Sequence, residues 1–188
     1  MSQTKIKAGG FDADVITGTD ALTTPPSSTD EILISDNGTI KRIDYSLIGN
    51  EPAFIVSNNT ATSSISANTW TQYTMDNEIL DTDNAFASNA FTVPSNKGGL
   101  YFFSAEVSWS TNPNAGRVAI AISVDGSRVA AQWESLGDTT SVNQSISAVV
   151  NLSAGEVVDV DLYHTNSGNT ENTGTGAFFS GFRIARGI

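Results

Sequence analysis

Large apolar residues fall on every second position through most of the second half of the chain. In "GLYFFSAEVSW", Tyr101, Phe103, Ala105, Val107 and Trp109 share one face, while Phe102, Ser104, Glu106 and Ser108 share the other. A period of two predicts a strand with one buried side. "VNQSISAVVNL" repeats the alternation with Ile146, Ala148, Val150 and Leu152. "VVDVDLYH" sets Val158, Val160 and Leu162 against Asp159, Asp161 and Tyr163. In "GAFFSGFRIARGI" the pattern assigns Phe178, Phe182 and Ile184 to the core and Phe179 with Arg183 to the opposite side. No long stretch carries the helical period, so the chain reads as an all-β antiparallel sandwich of roughly eight strands.

Turn dipeptides set the pairings. "RVAIAISV" and "SRVAAQWE" flank Asp125-Gly126, a two-residue hairpin signal. The simplest register pairs Ile122 with Val129, Ile120 with Ala131 and Val118 with Trp133 on the core face. Ser123 with Arg128, Ala121 with Ala130, and Ala119 with Gln132 then lie opposite. Trp133 becomes a core residue, and Trp133→Ser is expected to unfold the domain by emptying a large site. Asn37-Gly38 marks a second hairpin in "DEILISDNGTIKRIDYSLI". Its register is open: a two-residue loop pairs Ile32 with Ile43, and a three-residue loop pairs Ile34 with Ile40. Pro25 and Pro26 in "TTPPSSTDE" deny both helix and central strand. Residues 1–52 therefore read as an extended arm with a hairpin, and 53–188 as the main domain. A lone hairpin is marginal in water and needs a third surface.

Composition narrows the function classes. The chain has 188 residues and a formal net charge of -11, from 9 Lys and Arg against 20 Asp and Glu. Such a surface repels phosphate backbones and anionic bilayers, so no nucleic-acid partner is expected. No run approaches the roughly 20 apolar residues of a membrane span, so no membrane insertion is expected either. The absence of cysteine excludes disulfides, thiolate nucleophiles and cysteine-based metal sites. "MSQTKIKAGGFDADV" lacks the apolar stretch of a signal peptide, which points to folding in a cytoplasm.

Candidate chemistry is sparse. His164 is the one histidine, read as a partly exposed strand-end residue, and no nucleophile-elbow pattern accompanies it. Asp76, Asp81 and Asp83 in "DNEILDTDN" offer oxygen ligands of the kind calcium takes, although their spacing does not fit a helix–loop–helix calcium loop. Otherwise no cofactor is expected. "SGNTENTGTG" at 167–176 reads as a polar loop of the kind that often carries recognition. Nothing in the sequence pairs two carboxylates across a cleft, so the chain reads as a non-enzyme.

"NEILDTDNAFASNAFTVPSNKGGLYFFSAEVSW" resembles the globular head of the complement C1q and tumour necrosis factor superfamily, through Asn77, Asp81, Phe91, Pro94, Gly99, Tyr101 and Phe103. "NLSAGEVVDVDLY" and "AFFSGFRI" are similar to that family's later turn and closing strand, in the same order. The resemblance covers about residues 53–188 and implies a ten-strand jelly roll that assembles as a homotrimer, sometimes with calcium near the apex. Independent of it, the small Ala119, Ala121 and Ala130 face, with Phe102 and Phe179 opposite the expected core faces, suits packing against a second subunit. The stretches "KIKAGGFDADVITGTDAL" and "STDEILISDNGTIKRIDYS" are similar to amino-terminal segments of fibre and other virion proteins of tailed bacteriophages. This second resemblance implies a virion location after assembly in the host cytoplasm. Residues 1–52 would then attach to other virion proteins, and the head would bind a host-surface glycan or protein as part of a tail fibre or spike. The alternative it leaves open is a capsid decoration or head-fibre protein.

Overall fold

Three two-residue turns organise the hairpins of the computed structural model. Asn37-Gly38, Ser88-Asn89 and Asp125-Gly126 all hold paired positive φ angles, at 48° and 80°, 52° and 65°, and 47° and 75°. This backbone matches the right-handed twist of the strands it joins. The structure describes residues 22–27, 29–45, 48, 51–59, 65–110, 116–136, 141–166 and 170–186. Residues 1–21, which make up most of the expected arm, lie outside the described residues. The chain forms two compact units, Met1–Asn50 and Glu51–Ile188.

The first unit contains one hairpin, β1 (Glu31–Asp36) with β2 (Thr39–Asp44). Ile32 faces Ile43, so the two-residue loop sets the register. Nearly all of it is exposed, Leu33 at 71%. Cross-strand pairs of Lys41 with Asp36 and of Arg42 with Glu31 (2.9 Å) flank its apolar residues.

The second unit is a sandwich of two antiparallel sheets. The front sheet runs β12 (Ser141–Leu152), β9 (Gly99–Ser110), β15 (Phe178–Arg186), β3 (Ala53–Ser57), β6 (Asn77–Asp81). The short β14 (Thr170–Thr173) and β4 (Ile65–Ser66) continue along β9 beyond the end of β15. The back sheet runs β11 (Ser127–Ser135), β10 (Arg117–Val124), β13 (Val157–His164), β8 (Ala90–Thr92), β7 (Phe86–Ala87), with β5 (Thr71–Gln72) also pairing with β13. No α-helix occurs among the described residues.

The alternation of β9 is realised in full: Tyr101, Phe103, Ala105, Val107 and Trp109 are completely buried. Val118, Ile120, Ile122, Val158, Val160 and Leu162 meet them from the back sheet. Phe54 stacks on Phe91 at 4.7 Å and meets Phe179 edge-on at 4.9 Å. Two polar groups carried inward on β9 find partners, as burial requires. Trp109 Nε1 donates to Gln144 Oε1 at 2.8 Å, and Tyr101 Oη donates to the Lys97 carbonyl at 2.6 Å. Burial pushes the Tyr101 phenol up to about 12.

Four local expectations are overturned. First, the β10–β11 register slips by one after the turn. Ser123 does face Arg128, but Ile122 then faces Ala130 and Ala119 faces Trp133, leaving Val129 as a bulge. Every later residue of β11 changes side. Trp133 is therefore outside the core and 40% exposed, which removes the reason for Trp133→Ser to unfold the domain. As an edge strand, β11 tolerates Gln132 and Glu134 on its inward side. Second, β15 faces the other way: Phe179, Gly181 and Arg183 are buried, whereas Phe182 and Ile184 are about half exposed. Gly181 fixes this choice, because a Cβ there would sit 2.4 Å from a Phe103 ring carbon and 2.8 Å from one of Phe54. Counting large apolar residues favoured the wrong face. Arg183 is accommodated by an ion pair with Glu51 at the sandwich end. Third, the expected loop at 167–176 contains β14; residues 167–169 lie outside the described residues. Fourth, His164 is completely buried.

Candidate interaction surfaces

The outward side of the front sheet is built in cross-strand rows. Val149 faces Phe102, Phe102 faces Phe182, and Phe182 faces Ala53. The two phenylalanine rings touch, with centroids 5.5 Å apart. Val149 is 57% exposed and Phe182 48%, and Ile55 and Ile184 extend the patch. Beside it runs a row of small residues, Ser147, Ser104 and Ser180, ending at Ile55. Exposed contiguous apolar patches are a feature of surfaces where proteins or ligands dock. The expected packing surface is corrected here. Of its members, Phe102 lies on this patch, while Phe179 is in the core and Ala119 and Ala121 are buried on the back sheet.

The three candidate metal-ligating aspartates serve turns and loop ends. Asp81 Oδ1 accepts from the Asp83 amide (3.2 Å) and Oδ2 from the Phe86 amide (2.7 Å), bracing the connection from β6 to β7. Asp83 Oδ2 accepts from Thr82 Oγ1 (2.8 Å). Asp76 Oδ1 accepts from the Asn59 amide (2.7 Å) at the opposite end of β6. Asp76 and Asp81 are five positions apart along this strand, roughly 16 Å at the usual rise. Among the described residues no three His, Asp or Glu side chains converge as a metal site. A 510 Å³ groove at this end of the sandwich, beside Pro94 and Gly155, takes in Asp83 but neither of the others.

His164 Nε2 lies 2.6 Å from the Ile65 carbonyl, and Nδ1 accepts from the Asn166 amide at 3.2 Å. Both nitrogens are committed to backbone, tying β4 and the segment after β13 to the core. Asp159 and Asp161 sit on the outward side of β13. Burial is the main cause that pushes Asp159 up to about 6; the neighbouring Asp161 charge adds to it and a hydrogen bond from Gln72 opposes it. Glu51 is held below its ordinary value, chiefly by its hydrogen bond from Arg183. Neither perturbed carboxyl was singled out from sequence. The Asp-x-Asp alternation of β13 was the available signal for Asp159; Glu51 lies 132 residues from its partner, so no local signal existed.

Sheet order and faces together define an all-β jelly-roll sandwich. Residues 53–184 match the C1q domain, and the chain belongs to that family. The globular domain of zebrafish complement 1qA superposes with a TM-score of 0.55 at 23% identity, over 72% of this chain and 99% of that one. Murine APRIL superposes with a TM-score of 0.55 at 12% identity, over 72% of this chain and 100% of that one. At these identities the likeness concerns the fold. No curated protein matches the chain in sequence. C1q/TNF-like domains are typically non-enzymatic ligand-binding modules and form homotrimers.

Proposed function

We propose that this chain is a non-enzymatic structural protein of a tailed-bacteriophage virion, a component of a trimeric tail fibre or spike. Three copies of the sandwich join through their front sheets, and residues 1–52 attach to other virion proteins. The head then projects outward and binds the host surface. The observation that carries the trimer is the open row of Val149, Phe102 and Phe182 beside a row of serines small enough to let a partner sheet approach. The virion context is supported by the likeness of residues 5–22 and 28–46 to virion-protein amino termini.

Light scattering of the purified chain is expected to give three times the 19.8 kDa chain mass. A monomeric mass overturns the trimer. Immunogold electron microscopy with antibody against residues 53–188 is expected to label the phage tail. Label across the capsid moves the protein to a decoration role, and intact particles without label overturn the virion reading.

A further inference from the structure

The back sheet carries an aromatic cluster on the side turned away from the core. Trp133 faces Ala119, and Ala119 faces Tyr163. Thr71 pairs with Leu162, which brings the preceding Trp70 alongside Tyr163. Ala119 is small, and Trp133 and Tyr163 flank it on the strands to either side. The Trp70 and Trp133 rings are nearly perpendicular with centroids 5.6 Å apart, and Tyr163 is 5.0 Å from Trp70 and 5.3 Å from Trp133. Arg117 stacks over Trp133 at 4.6 Å and Arg128 over Trp70 at 4.7 Å. Ala119 and Ala121 are completely buried, while Trp133 remains 40% exposed.

Polar groups border these rings. Ser123 Oγ donates to Asp161 Oδ2 at 2.5 Å, and Arg128 Nη1 approaches the same oxygen at 4.0 Å. Gln72 Nε2 donates to Asp159 Oδ2 at 3.0 Å. Arg117 is exposed and makes no side-chain ion pair among the described residues.

On the reading of this domain as a binding head, we propose that this cluster is its ligand site and that the ligand is a neutral saccharide. A pyranose offers an apolar C–H face, which suits aromatic rings, and a rim of hydroxyls, which suits fixed donors and acceptors. Partly exposed indoles beside Arg117, Arg128, Asp161 and Gln72 supply both. Charge selects against the alternatives. Two guanidinium groups and two carboxyls border the rings, so the patch is balanced inside a chain of net charge -11. A polyanion meets Asp159 and Asp161, a polycation meets Arg117 and Arg128, and an uncharged hydroxyl-rich chain meets neither obstacle.

The test is a glycan array bearing neutral and acidic saccharides, probed with the full chain, followed by tryptophan-fluorescence titration of the strongest neutral glycan retained. Trp133→Ala is expected to weaken that binding at least about tenfold, and Arg117→Ala about threefold, as aromatic contacts of this kind contribute. The light-scattering mass of both variants stays that of the parent. If Trp133→Ala does not fold, Arg117→Ala at an exposed position decides. Retention of no neutral glycan, preference for acidic ones, or unchanged affinity in the folded variants overturns the inference. A trimer that binds no glycan removes this site and leaves the trimeric head standing; a monomer removes the head reading itself.

Discussion

The outward faces of the two sheets begin from similar floors and end differently. On the back sheet, Ala119 and Ala121 form a small apolar floor that the chain covers itself, with Trp70 arriving from just before β5 and Trp133 from β11. On the front sheet, Ser104 and Ser180 form a comparable floor, but the flanking strands supply Val149 and Ile55. Those side chains are too short to fold across a neighbouring strand. Phe102 and Phe182 pair with each other and still leave Phe182 48% exposed. A floor of small residues is thus closed from within when edge strands carry long rings, and otherwise remains available to a second chain. Burial of a residue on an outward face does not by itself reveal an interface.

The largest expected effect breaks the front face. Phe182→Asp places a charge in the middle of the apolar row, where a covering subunit would desolvate it. Light scattering should fall from the trimeric to the monomeric mass, with a melting temperature that no longer rises with protein concentration. A trimeric mass for this variant would move the interface elsewhere. Next in size is Ala119→Leu on the back face, which forces bulk beneath the indoles. It is expected to destabilise the domain by about 1–3 kcal/mol, with tryptophan emission shifted to the red and the trimeric mass kept. An unchanged melting temperature would show that the indoles do not rest on Ala119.

The same contrast explains what was legible in the sequence. Strict alternation in β9, β12 and β13 identified their buried sides, because apolar residues dominate one side of each strand and mostly polar ones the other. Resemblance then supplied the family. Two strands misled. In β11 a single bulge at Val129 reversed every later residue, and nothing local distinguishes Val129 as an extra residue from Val129 as a paired one. In β15 the inward side is marked by Gly181, whose missing side chain makes room for Phe54 and Phe103, and a count of apolar bulk cannot register a contribution made by absence. The aromatic cluster was hidden for the same reason as the bulge. Trp70, Trp133 and Tyr163 meet only once the corrected register brings Ala119 between them. The aspartates of "DNEILDTDN" stood out by composition, yet those at 81 and 83 are taken up by turn geometry.

The smallest expected effect sharpens the back face through its pH dependence. Asp159 Oδ1 is buried without a hydrogen-bond partner, and the carboxyl titrates near 6 instead of its ordinary 3.8. Between those values the folded protein holds a proton that the unfolded chain has released. Stability therefore falls as pH rises through this window, and the loss is complete above it. Asp159→Asn removes the charge at its source. The variant is expected to melt above the parent at pH 7.5, by a margin on the order of 1 kcal/mol once solvent screening of this half-buried group is allowed for. The margin should narrow toward pH 4, where Asp159 is protonated in the folded state and only partly ionised in the unfolded one. Melting curves at pH 4, 5, 6 and 7.5 decide the matter. A gap that stays constant with pH would assign the effect to packing, and one that widens in acid would mean that Asp159 is stabilised as a carboxylate by the arginines of the cluster.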